Sequence, residues 1–206
     1  MNSDLRHQSV QQFLNQLASG TPTPGGGSVA ALSGALAAGL VTMVCDLTIG
    51  RPRYAAFENE AQSIRQQAEV IRAHLTDLIQ SDIDAYTNVA NAYKLSKEDP
   101  QRSQAISDAT VIATDVPLLI AEQAAALLPL CLPLAQQGNR TAVGDVVAGV
   151  HLAVATVAAA LVNVTANIGA IASHPRAAEF LQRQQAATHE IELRRDVVVQ
   201  AAIARM

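Results

Sequence analysis

The chain has no tryptophan, and aromatic residues make up only 3% of its 206 positions. A core without large flat rings must be filled by Ala, Leu, Val and Ile. These dominate the hydrophobic half of the sequence, a composition that favours closely packed helices over sheets. Cysteine is scarce too. Cys45 and Cys131, each in apolar surroundings, read as buried reduced thiols rather than a disulfide framework, which implies a reducing compartment and a cytoplasmic location. Positive charge is short: 14 Lys and Arg stand against 18 Asp and Glu, for a net charge of −4. That balance argues against a protein that binds nucleic acid by neutralising phosphates. The first residues lack a basic stretch followed by an apolar run, so no signal peptide is expected.

Several motifs are missing as well. The glycine run Gly25–Gly27 has no following Lys and no preceding strand, so it matches neither a Walker loop nor a dinucleotide fingerprint. His7, His74, His151, His174 and His189 are scattered, with no H-x-x-x-H or C-x-x-C spacing, and no metal site is expected. His151 reads as a core histidine. The runs Val29–Ile49 and Val146–Ala172 are long enough to span a membrane. However, the first holds Asp46, the second holds His151, Asn163 and Asn167, and neither has aromatic belts or asymmetric basic flanks. They are expected to be central bundle helices, with no membrane partner.

What remains is helical periodicity. Residues 3–18 read as an amphipathic helix with Leu5, Val10, Phe13, Leu14 and Leu17 on one side. A Pro/Gly loop follows, and Ser28 is the expected N-cap of a helix running to about Thr48. Gly34 and Gly39 cost that helix stability unless another helix packs closely there, and Gly50 and Pro52 end it. Residues 55–94 contain no Gly or Pro and predict one helix of roughly 60 Å. Ile64, Ala68, Ile71, Leu75, Leu78, Ile79, Ile83 and Tyr86 lie on its apolar face. Pro117 kinks or restarts the next helix, "QQGNRT" is a stop, and two more helices follow, to about Ala172 and from 176 to 205. The whole chain, 1–206, thus predicts one all-α domain, a multihelical bundle of long helices. Helices this long leave apolar surface over, so a homodimer is expected.

Three places could carry chemistry. Gly25–Gly27 at a helix N-terminus offers free N–H groups to a polar ligand, or serves a tight helix crossing. Asp82, Tyr86 and Tyr93 share one side of the long helix, with Lys97 a turn beyond, while Asp84 faces solvent. Asp82 is either an acid/base or ligand anchor, or a partly buried carboxylate satisfied by Tyr or Ser. The turn at Gly138 offers Asn139, Arg140 and Asp145, although Asp145 also suits a helix first turn. Asn163 and Asn167 share a face and are expected to hydrogen-bond across the bundle or the dimer. Asp145 and Asn163 lie roughly 27 Å apart along one helix, too far to touch one reacting atom within a subunit.

Taken in order, "PTPGGGSVAALSGALAAGLVTMVCDLTIGRPRY", Asp82-x-x-Ala85-Tyr86 leading to "AYKLSK", "GNRTAVGD" and "NVTANI" resemble the formiminotransferase-cyclodeaminase C-terminal family, across most of residues 5–185. The resemblance implies an all-helical homodimer acting on a tetrahydrofolate derivative, with no metal and no cofactor beyond that substrate. It implies formiminotetrahydrofolate cyclodeaminase activity in a stand-alone form; the alternatives are methenyltetrahydrofolate cyclohydrolase and a non-catalytic folate-binding dimer. Carried onto this chain, it makes Asp82 the acid/base. Asp145 is the second catalytic candidate, or a grip on the pterin. Pro24, Gly25, Gly26, Gly27 and Ser28 would hold a polar edge of the ligand, with Tyr86 and Asn139 as further substrate contacts. Arg51, Arg53 and Lys97 would attract the glutamate tail. The chain departs from the family's usual pattern at Gly144, where Ser is common, at Ser96, where Pro is common, and at Arg51, often Lys.

Overall fold

A computed structural model describes residues 4–206. Seven α-helices are found there: α1 (Val10–Leu17), α2 (Gly26–Thr48), α3 (Glu58–Tyr93), α4 (Arg102–Ala125), α5 (Leu128–Gln137), α6 (Val143–Ile168) and α7 (Ala177–Ile203). Among the described residues there is no strand. The fold is all-α.

The amphipathic reading of residues 3–18 is corrected, residue 3 lying outside the described residues. A 3-10 turn covers Leu5–His7, and α1 starts only after Ser9. Ser9 and Gln12 form a reciprocal capping box, which starts a new helix where periodicity alone would run one through. Leu5 and Phe13 are buried, whereas Val10 and Leu14 stay exposed.

Helix α2 is the central rod. It packs against α3 and α6, while α4 bridges α3 and α6 and α7 closes over α4, α5 and α6. Alanines let the rods approach closely: Ala30, Ala31, Ala37 and Ala38 of α2 meet Leu75 and Ile79 of α3 and Ala153 and Val157 of α6. At Gly34 the approach is tighter still. A Cβ there would lie 3.0 Å from Leu75 Cδ1 and 3.1 Å from Thr156 Cγ2. The expected crossing therefore exists at Gly34 but not at Gly39, whose missing Cβ faces open space. A second cluster at the other end of α2 joins Val41, Val44 and Cys45 to Ile64, Leu134 and Val146. Cys45 and Cys131 are both free and buried, and burial pushes each thiol up to about 12.

The chain leaves α2 at Gly50, whose φ of +72° lies in the left-handed region open to glycine. A 3-10 stretch, Pro52–Phe57, precedes α3, so the long helix is 36 residues, about 54 Å, rather than starting at Ala55. Helix α4 runs through Pro117 without ending. Its partner α7 is fixed by charge: Arg183 donates to Asp115 at 2.8 Å and to Glu122 at 2.7 Å.

Three helical stretches, Gly26–Thr48, Arg102–Gln137 and Arg140–Ile171, are long and apolar enough to cross a membrane. The most apolar window of the last is only 39% buried, against 61% for the other two. His151, expected in the core, lies on this open side of α6 and is exposed. Leu36, Met43 and Leu47 of α2 and Val162 of α6 are exposed as well.

Candidate functional site

Ser28 does not cap α2. The N-cap is Gly25, and Ser28 falls inside the first turn, fully buried. Its hydroxyl reaches across to α3, lying 2.8 Å from Asp82 Oδ2 and 3.2 Å from the Ile79 carbonyl. The Asp82 carboxylate thus sits over the N-terminus of α2, where unpaired N–H groups and the helix dipole favour negative charge. Gly27 leaves room for it: a Cβ there would lie 2.0 Å from Asp82 Oδ1. The glycine run therefore yields its volume first to the protein's own carboxylate. Gly26 lies on the other side of the turn, its absent Cβ 3.9 Å from Asn163 Nδ2. Pro24 is buried just before the turn.

A cavity of about 250 Å³ opens beside Asp82. Helix α3 supplies Asp82, Tyr86 and Val89, α4 supplies Ala113 and Pro117, and α6 supplies Asn163 and Asn167. Pro117 has no N–H to give the Ala113 carbonyl one turn back. Asn167 Nδ2 from α6 donates to that carbonyl at 2.8 Å instead. Asn163 Nδ2 donates to Ala159 O of its own helix at 3.2 Å. Asn167 thus bonds across the bundle as expected, Asn163 turns back on its own helix, and both line the cavity beside Asp82. Their spacing in sequence put them on one face, but only the proline in α4 reveals what that face meets.

Burial pushes the Asp82 carboxyl above its ordinary value; the Ser28 hydroxyl and backbone N–H pull the other way without cancelling it. Desolvation of this kind is how a carboxyl becomes able to hold a proton nearer neutral pH. Tyr86 borders the cavity and is 47% exposed.

The other candidates lie elsewhere. Lys97 is past the end of α3, on an exposed turn, not on a continued helix. Arg51 and Arg53 are exposed at the far end of α2, about 33 Å of helix from Gly26. Asp145 is in the first turn of α6, and Gly144 beside it is near Met206. Asn139 is committed to the chain itself. Its backbone N–H donates to Thr48 Oγ1 (2.9 Å), its Nδ2 donates to Leu47 O (2.7 Å), and its Oδ1 accepts from Thr141 N (3.0 Å). Within the chain the structure joins Gly25–Ser28, Asp82 and Tyr86, and separates them from Arg51, Asn139 and Asp145. Among the described residues no three His, Cys, Asp or Glu side chains cluster as metal ligands would.

A model of the family described as Formiminotransferase-cyclodeaminase matches residues 9–186. A methenyltetrahydrofolate cyclohydrolase from Methylorubrum extorquens is 38% identical over 165 residues, which cover 78% of this chain and 79% of that protein. The formimidoyltransferase-cyclodeaminase of Rattus norvegicus is 33% identical over 141 residues, 66% of this chain. The Sus scrofa protein of that name is 28% identical over 205 residues. The aligned regions take up only 26% and 38% of those two proteins. Among solved structures, the formiminotetrahydrofolate cyclodeaminase of Thermotoga maritima superposes with a TM-score of 0.89 at 27% identity, covering 96% of this chain and 97% of that one.

Proposed function

The chain belongs to the formiminotransferase-cyclodeaminase family, and on that premise we propose that it is a folate one-carbon enzyme that works as a formiminotetrahydrofolate cyclodeaminase. The observation that carries this reading is the desolvated Asp82 carboxyl, held on the α2 N-terminus and open to a cavity with amide walls.

The reaction needs a group that both takes and gives a proton. N10 of 5-formiminotetrahydrofolate, whose formimino nitrogen enters protonated as an amidinium, attacks the formimino carbon, a new N10–C bond forms, and N10 loses its proton. The amino group on that carbon must gain a proton before the C–N bond breaks and ammonia leaves. One carboxyl of raised pKa serves both steps: ionised Asp82 accepts the N10 proton and, now neutral, passes a proton to the departing amine. The product carries a delocalised positive charge across N5–C–N10. The returning Asp82 carboxylate offsets it. These steps, an addition, two proton transfers and an elimination, change no oxidation state, and the proposal includes no metal or further cofactor.

Methenyltetrahydrofolate cyclohydrolase is the second reading, favoured by the 38% identity to the Methylorubrum protein over most of its length. Here the same cation is the substrate: water attacks its carbon, Asp82 takes one proton, and the hydroxyl's other proton passes to N5 as the C–N5 bond breaks and the ring opens to the 10-formyl product. Both reactions centre on 5,10-methenyltetrahydrofolate, so one spectrophotometric experiment separates them. Methenyl absorbance rising from the formimino substrate together with ammonia release supports the cyclodeaminase. Absorbance decaying from the methenyl substrate faster than the buffer blank supports the cyclohydrolase. No turnover of either, and no melting shift with a tetrahydrofolate ligand, overturns the folate reading.

The same proposal includes a homodimer and a cytoplasmic setting, the latter supported by the two buried free thiols. The exposed apolar side of α2 and α6 supports the dimer, with a groove of about 540 Å³ lined by Leu36, Gly39, Leu40, Met43 and Leu152. The open space at Gly39, near the middle of α2, suits a second α2 crossing there about a twofold axis. Antiparallel packing would carry Arg51 and Asp145 of one copy toward the Asp82 cavity of the other, where Arg51 could meet a glutamate tail. Sedimentation equilibrium tests it: Leu36→Glu is expected to yield monomers, and a monomeric wild type overturns it.

A further inference from the structure

We propose that Asn163 and Asn167 read the heterocycle, their amide oxygens accepting hydrogen bonds from the N–H-rich edge of the pterin, and that Pro117 sets Asn167 for this role. The inference rests on the folate reading and adds the residues that choose the ring.

The orientation of an asparagine amide is ordinarily ambiguous, because its oxygen and nitrogen look alike. Here the chain removes the ambiguity. A backbone carbonyl only accepts, so the atom 2.8 Å from Ala113 O must be Asn167 Nδ2, and the atom 3.2 Å from Ala159 O must be Asn163 Nδ2. With each nitrogen committed, each oxygen is left over. Among the described residues neither Oδ1 accepts a hydrogen bond. The two residues are one helical turn apart on α6, about 6 Å of rise, and both line the Asp82 cavity.

The lining is therefore one-sided in its chemistry. It holds a carboxyl, two amide oxygens, the Tyr86 phenol and apolar surface, and no lysine or arginine. Such a wall suits hydrogen-bond donors and positive charge and repels an anion, so the glutamate end of a folate belongs outside it. The reduced pterin carries adjacent donors at its 2-amino group and N3. With Asp82 at the reacting carbon, the α6 oxygens are acceptors left for these.

Pro117 gives the arrangement its rigidity. A proline inside a helix normally costs stability because it orphans a carbonyl. This one is retained in the middle of α4, and its orphan is the anchor of Asn167. Replacing Pro117 by Ala would give Ala113 O an N–H from its own helix and release the Asn167 amide to turn.

Calorimetric titration with 5-formyltetrahydrofolate and its 2-desamino-2-methyl analogue tests the assignment. Wild type is expected to bind the parent at least about tenfold more tightly, since the analogue leaves an acceptor unpaired. Asn163→Ala and Asn167→Ala should each weaken the parent several-fold, leave the analogue nearly unchanged and so shrink the ratio, with urea midpoints reporting the fold separately. Pro117→Ala should weaken the parent in wild type and add nothing in Asn167→Ala, a non-additivity that a purely structural proline would not show. The proposal is overturned if wild type treats the two ligands alike, if the asparagine variants weaken both equally, or if Asp82→Asn alone abolishes the discrimination. Should wild type bind neither ligand and turn over neither substrate, the folate reading itself falls and takes this inference with it.

Discussion

The two ends of α2 are made of the same kinds of residue and do opposite things. At the N-terminal end, beside the glycine turn, a carboxylate and two asparagines border a cavity, and the asparagine oxygens are left without protein partners. At the C-terminal end an asparagine, a threonine, a tyrosine and two arginines use up their polar atoms on the backbone. Asn139 holds Thr48 and Leu47, Tyr54 Oη accepts from Arg140 N at 3.0 Å, and Arg140 and Arg205 tie α7 to the turn. One end leaves polar atoms open to a cavity, while at the other these five residues are paired within the chain. Polar residues at a helix end mark function only when their hydrogen bonds are left open.

Substitutions at the two ends should separate accordingly. The largest effect is expected for Asp82→Asn, which keeps shape and removes the proton carrier: kcat should fall roughly 10²–10⁴-fold with the fold retained, measured by the methenyl assay and circular dichroism. Gly27→Ala comes next. Its methyl would claim the position of Asp82 Oδ1, and a short side chain can swing aside, so activity should drop more than tenfold. Its melting temperature should fall by only a few degrees, for ~1 kcal/mol of overpacking. Asn139→Ala should reverse that pattern, since it strands the Leu47 carbonyl and the Thr141 N–H. A loss of about 1–3 kcal/mol in denaturant unfolding is expected, with a far smaller change in kcat. Equal effects on activity at both ends would erase the contrast.

The smallest effect is a pH dependence. Because burial raises the Asp82 pKa above 3.8, its proton is held more tightly in the folded state than in the unfolded one. Its contribution to stability is therefore greatest below the unfolded value and is lost as pH rises through the folded one. The melting temperature of Asp82→Asn relative to wild type should accordingly shift in the variant's favour from about pH 4 to about pH 8. A flat difference would mean that the carboxyl is not desolvated.

Much of this architecture is legible in the sequence, and the failures share a cause. The apolar period of α3, the stop at Gly50 and the close crossing at Gly34 are local patterns with local causes, and all appear in the fold. The misread positions depend on partners far away in the chain. Ser28 looked like a cap because Ser favours caps; its position inside the turn follows from Asp82, 54 residues on. Asn167 was expected to bond across the bundle and does so, but only the missing N–H at Pro117 explains its partner, the Ala113 carbonyl. His151 sits on an apolar helix, which suggested burial, but that side of α6 is not covered within the protomer. Asn139 and Asp82 could not be ranked from sequence, since nothing local tells an occupied amide from an available carboxylate.

The Asp82 carboxylate seals the beginning of α2 as well as facing the cavity, so the proposed proton transfer and the fraying of α2 share one negative charge. Each time that charge is neutralised, the opening amides of α2 lose their counterweight. Hydrogen–deuterium exchange at Gly26–Ser28 should therefore quicken in Asp82→Asn and slow when a cationic ligand keeps the acid ionised, making the helix tip a spectator that reports the protonation state of the chemistry beside it.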